Sequence, residues 1–363
     1  MANTVKPSDK VRIGIIGCGG IATSKHLPAL SKLNNIEMVA FCDLIRSRAE
    51  SAAKNYGTPD AKVYENYKEL LEDKTIDVVH VLTPNRSHSF ISVDAMEAGK
   101  HVMCEKPMAI TVKEAEAMAA AARRNHRLLS IGYQARFGEN AKRLKAMCAA
   151  GELGDIYFAR AYAVRRRGVP TWGHFLDREI QGGGCLIDLG THAIDLALWL
   201  LDNYEPLYVV GSVFHKLNGQ HSEANRWGPW DTEKFQVEDS AFGYIKMKNG
   251  ATIEVDCSWA LNTIHEREDK AMLIGTRAGA DLFDQRLVIN GERNGKLYED
   301  EYLSEFSKDA DEDNANACQL RDWIDSVREG REPLVRMEQA LVVCKILDAI
   351  YQSAETNAPV YIQ

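Results

Sequence analysis

The sequence predicts a two-domain protein: an α/β domain on a parallel sheet covered on both faces, then an α+β domain, with the boundary near residue 134. Three observations predict it. From residue 11 to about 130, short apolar runs alternate with helical patterns, the rhythm of a buried parallel sheet. A glycine-rich turn stands directly behind the first run. After about residue 135 the apolar runs lengthen and alternate, as antiparallel strands do.

In chain order, Val11–Ile16 is a strand broken by Gly17-Cys18-Gly19-Gly20, and a helical pattern runs on to about Leu33. Ile36–Cys42 is a second strand, ending at Asp43. Tyr67–Leu71 reads as helix, Ile76–Leu82 as strand, Ser87–Ala98 as helix and His101–Cys104 as strand. The Ala/Glu-rich Thr111–Asn125 is a strong helix, followed by the strand Leu128–Tyr133. In the second domain, a helix (Asn140–Ala150) and a strand (Ile156–Val164) precede an apolar helix at 181–201. Leu207–Lys216, Ser240–Lys248 and Ala251–Leu261 then read as strands, with Asn249-Gly250 a strong hairpin signal between the last two. A further hairpin is expected around Asn290-Gly291 to Asn294-Gly295, and Asn316 to Thr356 returns to helix.

Composition narrows the class. The 363 residues are 45% hydrophobic and 26% charged with a formal net charge of −8, which fits an ordinary globular protein. The only basic block is Arg165-Arg166-Arg167. It reads as a solvated face or an anion contact, and nucleic acid is not expected as a partner. The start, MANTVKPSDK, has no apolar segment of a secretory leader, and no uninterrupted apolar run approaches a membrane span. Eight single cysteines without a C-x-x-C pair suit reduced thiols better than disulfides or zinc. The expectation is a cytoplasmic protein without a membrane partner and without a bound metal.

The chemistry begins at Gly17-Cys18-Gly19-Gly20-Ile21-Ala22, which matches G-x-G-x-x-A between a strand and a helix. The first glycine permits the tight turn, the second admits a pyrophosphate close to the backbone, and Ala22 allows close helix–sheet packing. The helix start then offers unpaired N–H groups to phosphate. Asp43, at the end of the second strand, is placed to accept the ribose hydroxyls of NAD; Arg46 and Arg48 behind it leave room for the 2′-phosphate of NADP. Thr83-Pro84-Asn85 and Glu105-Lys106-Pro107 follow the strands ending at Leu82 and Cys104, where open α/β sheets bind ligands. Each is either a proline-bearing turn or a site loop. A lysine there can steady an alkoxide as a proton leaves.

The helix QGGGCLIDLGTHAIDLALWLL (181–201) carries Asp188, His192 and Asp195 at i, i+4 and i+7, on one face of an α-helix. Burying them unpaired would be costly. They either satisfy one another in a core or face a pocket. His192 is the general-base type and Asp188 its orienting carboxylate. For Asp195 a structural bond and a substrate contact stand equal. Leu186, Leu189, Ile194 and Leu198 are expected to form the inward face, and Gly182–Gly184 to let backbone approach a ligand.

The glycine turn, T-P-N, E-K-P and G-G-G-x-x-x-D-x-G-x-H-x-x-D, in this order, resemble the Gfo/Idh/MocA oxidoreductases, the glucose–fructose oxidoreductase and inositol dehydrogenase family. The resemblance covers essentially the whole chain. It implies a Rossmann domain followed by a large open, mainly antiparallel sheet, and NAD(P)-dependent chemistry on the hydroxyls of sugars, sugar derivatives and cyclic polyols. It implies Lys106, Asp188 and His192 as catalytic residues. The cofactor set is then Gly17, Gly19, Gly20, Ile21, Ala22, Asp43, Arg48, Thr83, Asn85, His88 and Glu105, with NAD favoured and NADP possible. It also implies a homodimer or homotetramer, with C-terminal helices able to pack back on the first domain.

Beside the catalytic helix, Arg165, Trp172 and His174 lie in a basic, aromatic segment, expected either to wall a sugar site or to pack a loop or subunit contact. Tyr133 and Arg136 stand the same way. Two other functions fit this scaffold: a glycosidase that keeps NAD bound, and an NAD-sensing regulator without catalysis. The intact Lys106, Asp188 and His192 speak against the regulator.

Overall fold

The computed structural model describes residues 10–283, 286–304 and 314–362, arranged in two units: residues 10–134 with 314–341, and 135–304 with 342–362. The first unit is a parallel six-stranded sheet. It runs β1 (Val11–Ile16), β2 (Ile36–Cys42), β3 (Lys62–Tyr64), β4 (Val78–Val81), β5 (His101–Cys104) and β6 (Leu129–Ile131), in the order β3-β2-β1-β4-β5-β6. That order reverses between β1 and β4, the switch point at which such sheets bind dinucleotides.

Helices α1 (Leu27–Leu30), α2 (Arg46–Tyr56), α3 (Tyr67–Glu72), α4 (His88–Glu97) and α5 (Val112–Asn125) link the strands. Every residue of β4 and β5 is buried, which is why both read as unbroken apolar runs. Helix α5 starts where the sequence says: Thr111 Oγ1 accepts the Glu114 N–H at 3.2 Å and donates to the Glu114 carboxylate at 3.0 Å, satisfying a helix-start donor. Helix α2 and strand β3 were not legible in the sequence.

In the second unit, α6 (Glu139–Ala149), β7 (Ile156–Val164), the short α7 (Arg178–Gln181) and α8 (Thr191–Leu201) precede β8 (Pro206–Phe214), β9 (Ser240–Met247) and β10 (Thr252–Ser258). Then come β11 (Arg267–Gly275), β12 (Ala278–Phe283), β13 (Arg286–Arg293) and β14 (Lys296–Leu303). After these, α9 (Ala315–Glu329) belongs to the first unit, α10 (Met337–Thr356) is divided between the two, and β15 (Val360–Tyr361) closes the chain. The first unit's core takes Leu320, Trp323 and Ile324 of α9 beside Val11, Ile13 and Leu30.

The second sheet has nine strands in the order β14-β13-β12-β11-β7-β10-β9-β8-β15, antiparallel except for the β7–β10 pair. Register aligns Val210, Tyr244, Glu254, Arg160 and Met272 in one row across five strands. Val210 and Tyr244 are exposed, so this face lies open.

Two expectations are sharpened, and two strands fall where none was expected. The second hairpin turns at Asn294-Gly295, both with positive φ; Asn290 and Gly291 sit inside β13, paired with Gly279 and Ala278. Strands β11 and β12 occupy a stretch that gave no strand signal. The helix across 185–201 has no outward face: every residue from Cys185 to Leu200 is buried, as a helix in a core must be. Among the described residues, the span Arg178–Leu201 is the one long and apolar enough to cross a membrane, and 94% of its apolar window is buried in the protein.

Candidate active site

The phosphate turn is built by backbone constraints. Gly17 has φ +93°, and a Cβ there would meet the Leu82 carbonyl oxygen at 2.6 Å. Only glycine fits where the turn passes β4. Gly19 and Gly20 face open space on the side where a Cβ would point, while Ala22 is buried and Ile21 half-buried. The Asp43 carboxylate ties this turn to the next: Oδ2 accepts the Cys18 N–H and Oδ1 the Ile45 N–H, both at 2.8 Å. Arg46 is engaged by Glu50 and Glu65 at 2.9 and 3.4 Å, and Arg48 is exposed. An open glycine cradle with a carboxylate at its edge fits a dinucleotide, held by the backbone of Gly19 to Ile21 and by Asp43.

Strand β5 delivers Glu105 and Lys106 to the same edge of the sheet, and the Lys106–Pro107 peptide is cis. Glu105 Oε1 pairs with His26 Nε2 at 2.8 Å, and Oε2 accepts the Lys106 N–H at 3.1 Å. Burial pushes the Glu105 carboxyl up. The hydrogen bond and charge of His26, with Lys106 and Lys25, outweigh that and bring it from 4.5 to about 2. His88 is fully buried: its Nδ1 lies 2.7 Å from the Pro107 carbonyl and its Nε2 2.8 Å from that of Thr83. Expected among the cofactor contacts, His88 instead braces the T-P-N and E-K-P loops from behind. Asn85 is buried and Thr83 half-buried, its hydroxyl accepting from Ser87 at 2.8 Å.

Because the folded Glu105 carboxyl lies below its usual value, its stabilisation is complete above about pH 4.5 and is lost as pH falls toward 2. Urea unfolding at stepped pH is expected to show on the order of 2–3 kcal/mol lost across that window. Glu105→Gln is expected to flatten this acid limb.

In the second unit, the segment carrying Asp188 is a π turn (Leu186–Gly190) that runs into α8. Such turns widen a helix by one residue and recur at functional sites. The turn's start is held from a distance. Buried Glu238 accepts the Gly184 N–H at 2.7 Å, the Leu186 N–H at 3.0 Å and the Tyr351 hydroxyl at 2.9 Å. A Cβ on Gly183 would overlap Tyr351, and one on Gly184 the Glu238 backbone. These glycines therefore serve packing within the second unit, not the approach of a ligand.

Asp188 Oδ2 accepts the indole N–H of fully buried Trp259 at 2.9 Å. His192 stands four residues on, in the first turn of α8, with 6% of its surface exposed. A carboxylate fixed by an indole, one turn from an imidazole, is equipped to hold and move a proton. Trp259→Phe keeps the ring packing and removes one donor from a buried carboxylate. It is expected to lower kcat/KM about tenfold, the size of a lost hydrogen bond to a charged group, while KM for the nucleotide stays unchanged.

The Asp/His/Asp trio does not share one environment. Asp195 is fully buried and paired through both oxygens with Arg136, Nε to Oδ2 at 2.8 Å and Nη2 to Oδ1 at 2.5 Å. Of its two expected roles, the structural bond is the one the geometry supplies. Burial pushes the Asp195 carboxyl up, and Arg136 pulls it back. Tyr133 is fully buried too, which leaves its side chain no surface for a substrate. Arg165 is half-buried; Trp172 and His174 are exposed. His26, Glu238 and Trp259 carry no local sequence signal. Each acts on a partner far along the chain, beyond the reach of local patterns.

Comparisons with known proteins identify the family. Residues 11–133 match the GFO_IDH_MocA model, an oxidoreductase family with an NAD-binding Rossmann fold, and residues 141–293 match the GFO/IDH/MocA C-terminal domain. The chain is 35% identical over 353 residues to the D-glucoside 3-dehydrogenase of Escherichia coli K12, covering 97% of this chain and 98% of that protein. It is 32% identical over 274 residues to the glucose-6-phosphate 3-dehydrogenase of Bacillus subtilis 168, covering 71% and 73%. A levoglucosan dehydrogenase solved with NADH and levoglucosan shares the fold at a TM-score of 0.84 and 20% identity, over 98% of this chain and 100% of that one.

Proposed function

The chain belongs to the GFO/IDH/MocA oxidoreductase family, with an NAD-binding Rossmann domain and dehydrogenase activity on sugar or polyol hydroxyls, and we propose that it oxidises a secondary ring hydroxyl of a glucose-type sugar or glycoside using NAD. The observation that carries this is the Trp259–Asp188 bond one turn from His192. Hydride loss from a carbinol requires removal of the hydroxyl proton, and imidazole is the side chain that titrates near neutrality.

In this reading His192 takes that proton. Asp188, oriented by Trp259, favours the imidazolium that forms. Lys106, in the first unit, is of the residue type that steadies a developing alkoxide. Bound nicotinamide supplies the hydride acceptor. The D-glucoside 3-dehydrogenase relative supports a pyranose substrate. Asp43 supports NAD over NADP, because its carboxylate repels a 2′-phosphate and Arg46 is already held by two glutamates. The open face of the second sheet, with Val210, Phe214 and Tyr244 exposed, supports a homodimer or homotetramer. The cysteines, all eight of them free thiols, suit a reducing cytoplasm.

The test is nicotinamide absorbance with NAD or NADP against inositols, aldoses, sugar acids and glycosides. Reduction on a sugar or glycoside with NAD carries the proposal. A glycoside cleaved without net reduction would move the chain to the NAD-retaining glycosidases.

A further inference from the structure

Two loops of the second unit present an aromatic corner that the hydride chemistry does not use. Trp172 and Trp227 are 51% and 38% exposed, with ring centroids 4.9 Å apart at 84°. They form two walls at a right angle. The corner is built rather than incidental. Buried Asn225 zips the loops together, its Oδ1 accepting the Val169 N–H at 2.9 Å and its Nδ2 donating to the Val169 and Gly228 carbonyls at 3.0 and 2.7 Å. The Thr171 hydroxyl donates to the Trp227 carbonyl at 2.8 Å. Rigidly held, exposed indoles of this kind mark ligand surfaces.

The corner is joined to the reacting groups by stacked rings. Trp172 meets Phe175 at 5.7 Å and Phe175 meets Trp259 at 6.3 Å, the residue whose indole holds Asp188. One phenyl layer therefore separates the corner from the indole that orients the catalytic carboxylate. We infer that the corner is a subsite for a second ring carried on the glycosidic oxygen, so that the substrate is a glycoside with a cyclic aglycone. This rests on the glycoside reading above.

The chemistry favours a neutral ring. Arg165 and Arg226 lie over the Trp227 ring at 5.2 and 5.4 Å. Arg226 is also paired with Glu266 at 3.8 Å, and Arg165 donates to the Gly168 carbonyl at 3.2 Å. Both guanidiniums are spoken for and cover part of the Trp227 ring; what stays open to the C–H face of a pyranose or an aryl ring is the Trp172 indole and the uncovered part of Trp227.

The experiment compares methyl glucoside, phenyl glucoside, a glucose disaccharide and glucose 6-phosphate in the wild type, Trp227→Ala and Trp227→Phe. It reads kcat/KM with NAD and, separately, Kd by calorimetry. The wild type is expected to prefer the ring-bearing glycosides over methyl glucoside about tenfold. Trp227→Ala is expected to abolish that preference through KM and Kd rather than kcat, and Trp227→Phe to keep most of it. Preference for the disaccharide alone identifies a sugar aglycone; an equal or greater preference for phenyl glucoside identifies an aryl one. Turnover without a ring preference overturns the corner and leaves the dehydrogenase standing. Ring-dependent binding without turnover on any substrate does the reverse. A preference for glucose 6-phosphate that survives Trp227→Ala overturns the neutral-ring subsite.

Discussion

Asp195→Ala is expected to lower the unfolding free energy by about 3–5 kcal/mol, because it leaves the fully buried Arg136 guanidinium without its carboxylate. The loss comes from the stranded charge more than from the missing bond. Removing both partners, as Arg136→Met with Asp195→Leu, is therefore expected to recover most of it. Guanidinium unfolding of the three proteins reads this directly as a shift in midpoint at constant slope. A single variant as stable as wild type would show that the pair holds nothing, and a double variant as weak as the single would show that packing matters and charge does not. Asp195 is thus a stabiliser of the helix that carries His192, one turn removed from it.

His192→Ala is expected to lower kcat/KM by about 10²–10⁴, the range contributed by a positioned general base. Binding of nucleotide is expected to stay intact, since the phosphate turn and Asp43 belong to the other unit. The loss should appear in kcat more than in KM, because the proton leaves only in the transition state. Steady-state rates with an active sugar, together with nucleotide affinity by calorimetry, separate the two. A variant that retains wild-type kcat would remove His192 from the chemistry and send the search back to Lys106.

Much of this was legible in the sequence where cause and effect are local. The strand-turn-helix at Gly17, the β5 loop with Lys106 and the Asn249-Gly250 hairpin each follow from residues a few positions apart. So does the α5 start at Thr111. What stayed hidden has physical reasons. Helix α2 buries only Ala49 and Ala52, too little apolar contrast to register as a stripe. Strand β3 is three residues long with no buried position, so it reads like a loop.

The helix that carries His192 shows the limit most sharply. Its composition announces burial, yet the backbone at the start of the π turn is held by Glu238, which the Tyr351 hydroxyl fixes in turn. Those partners lie more than fifty residues away. Arg136 likewise meets Asp195 across 59 residues, and no periodicity encodes such a meeting.

Tyr351's grip on Glu238 also has a consequence for biosynthesis. A growing chain carries Asp188 and His192 long before it carries Tyr351. Glu238 can hold the Gly184 and Leu186 N–H groups as soon as it is made, but its own hydroxyl donor is added more than a hundred residues later. The anchor of this helix is therefore finished late in synthesis, by a residue that plays no part in the helix itself.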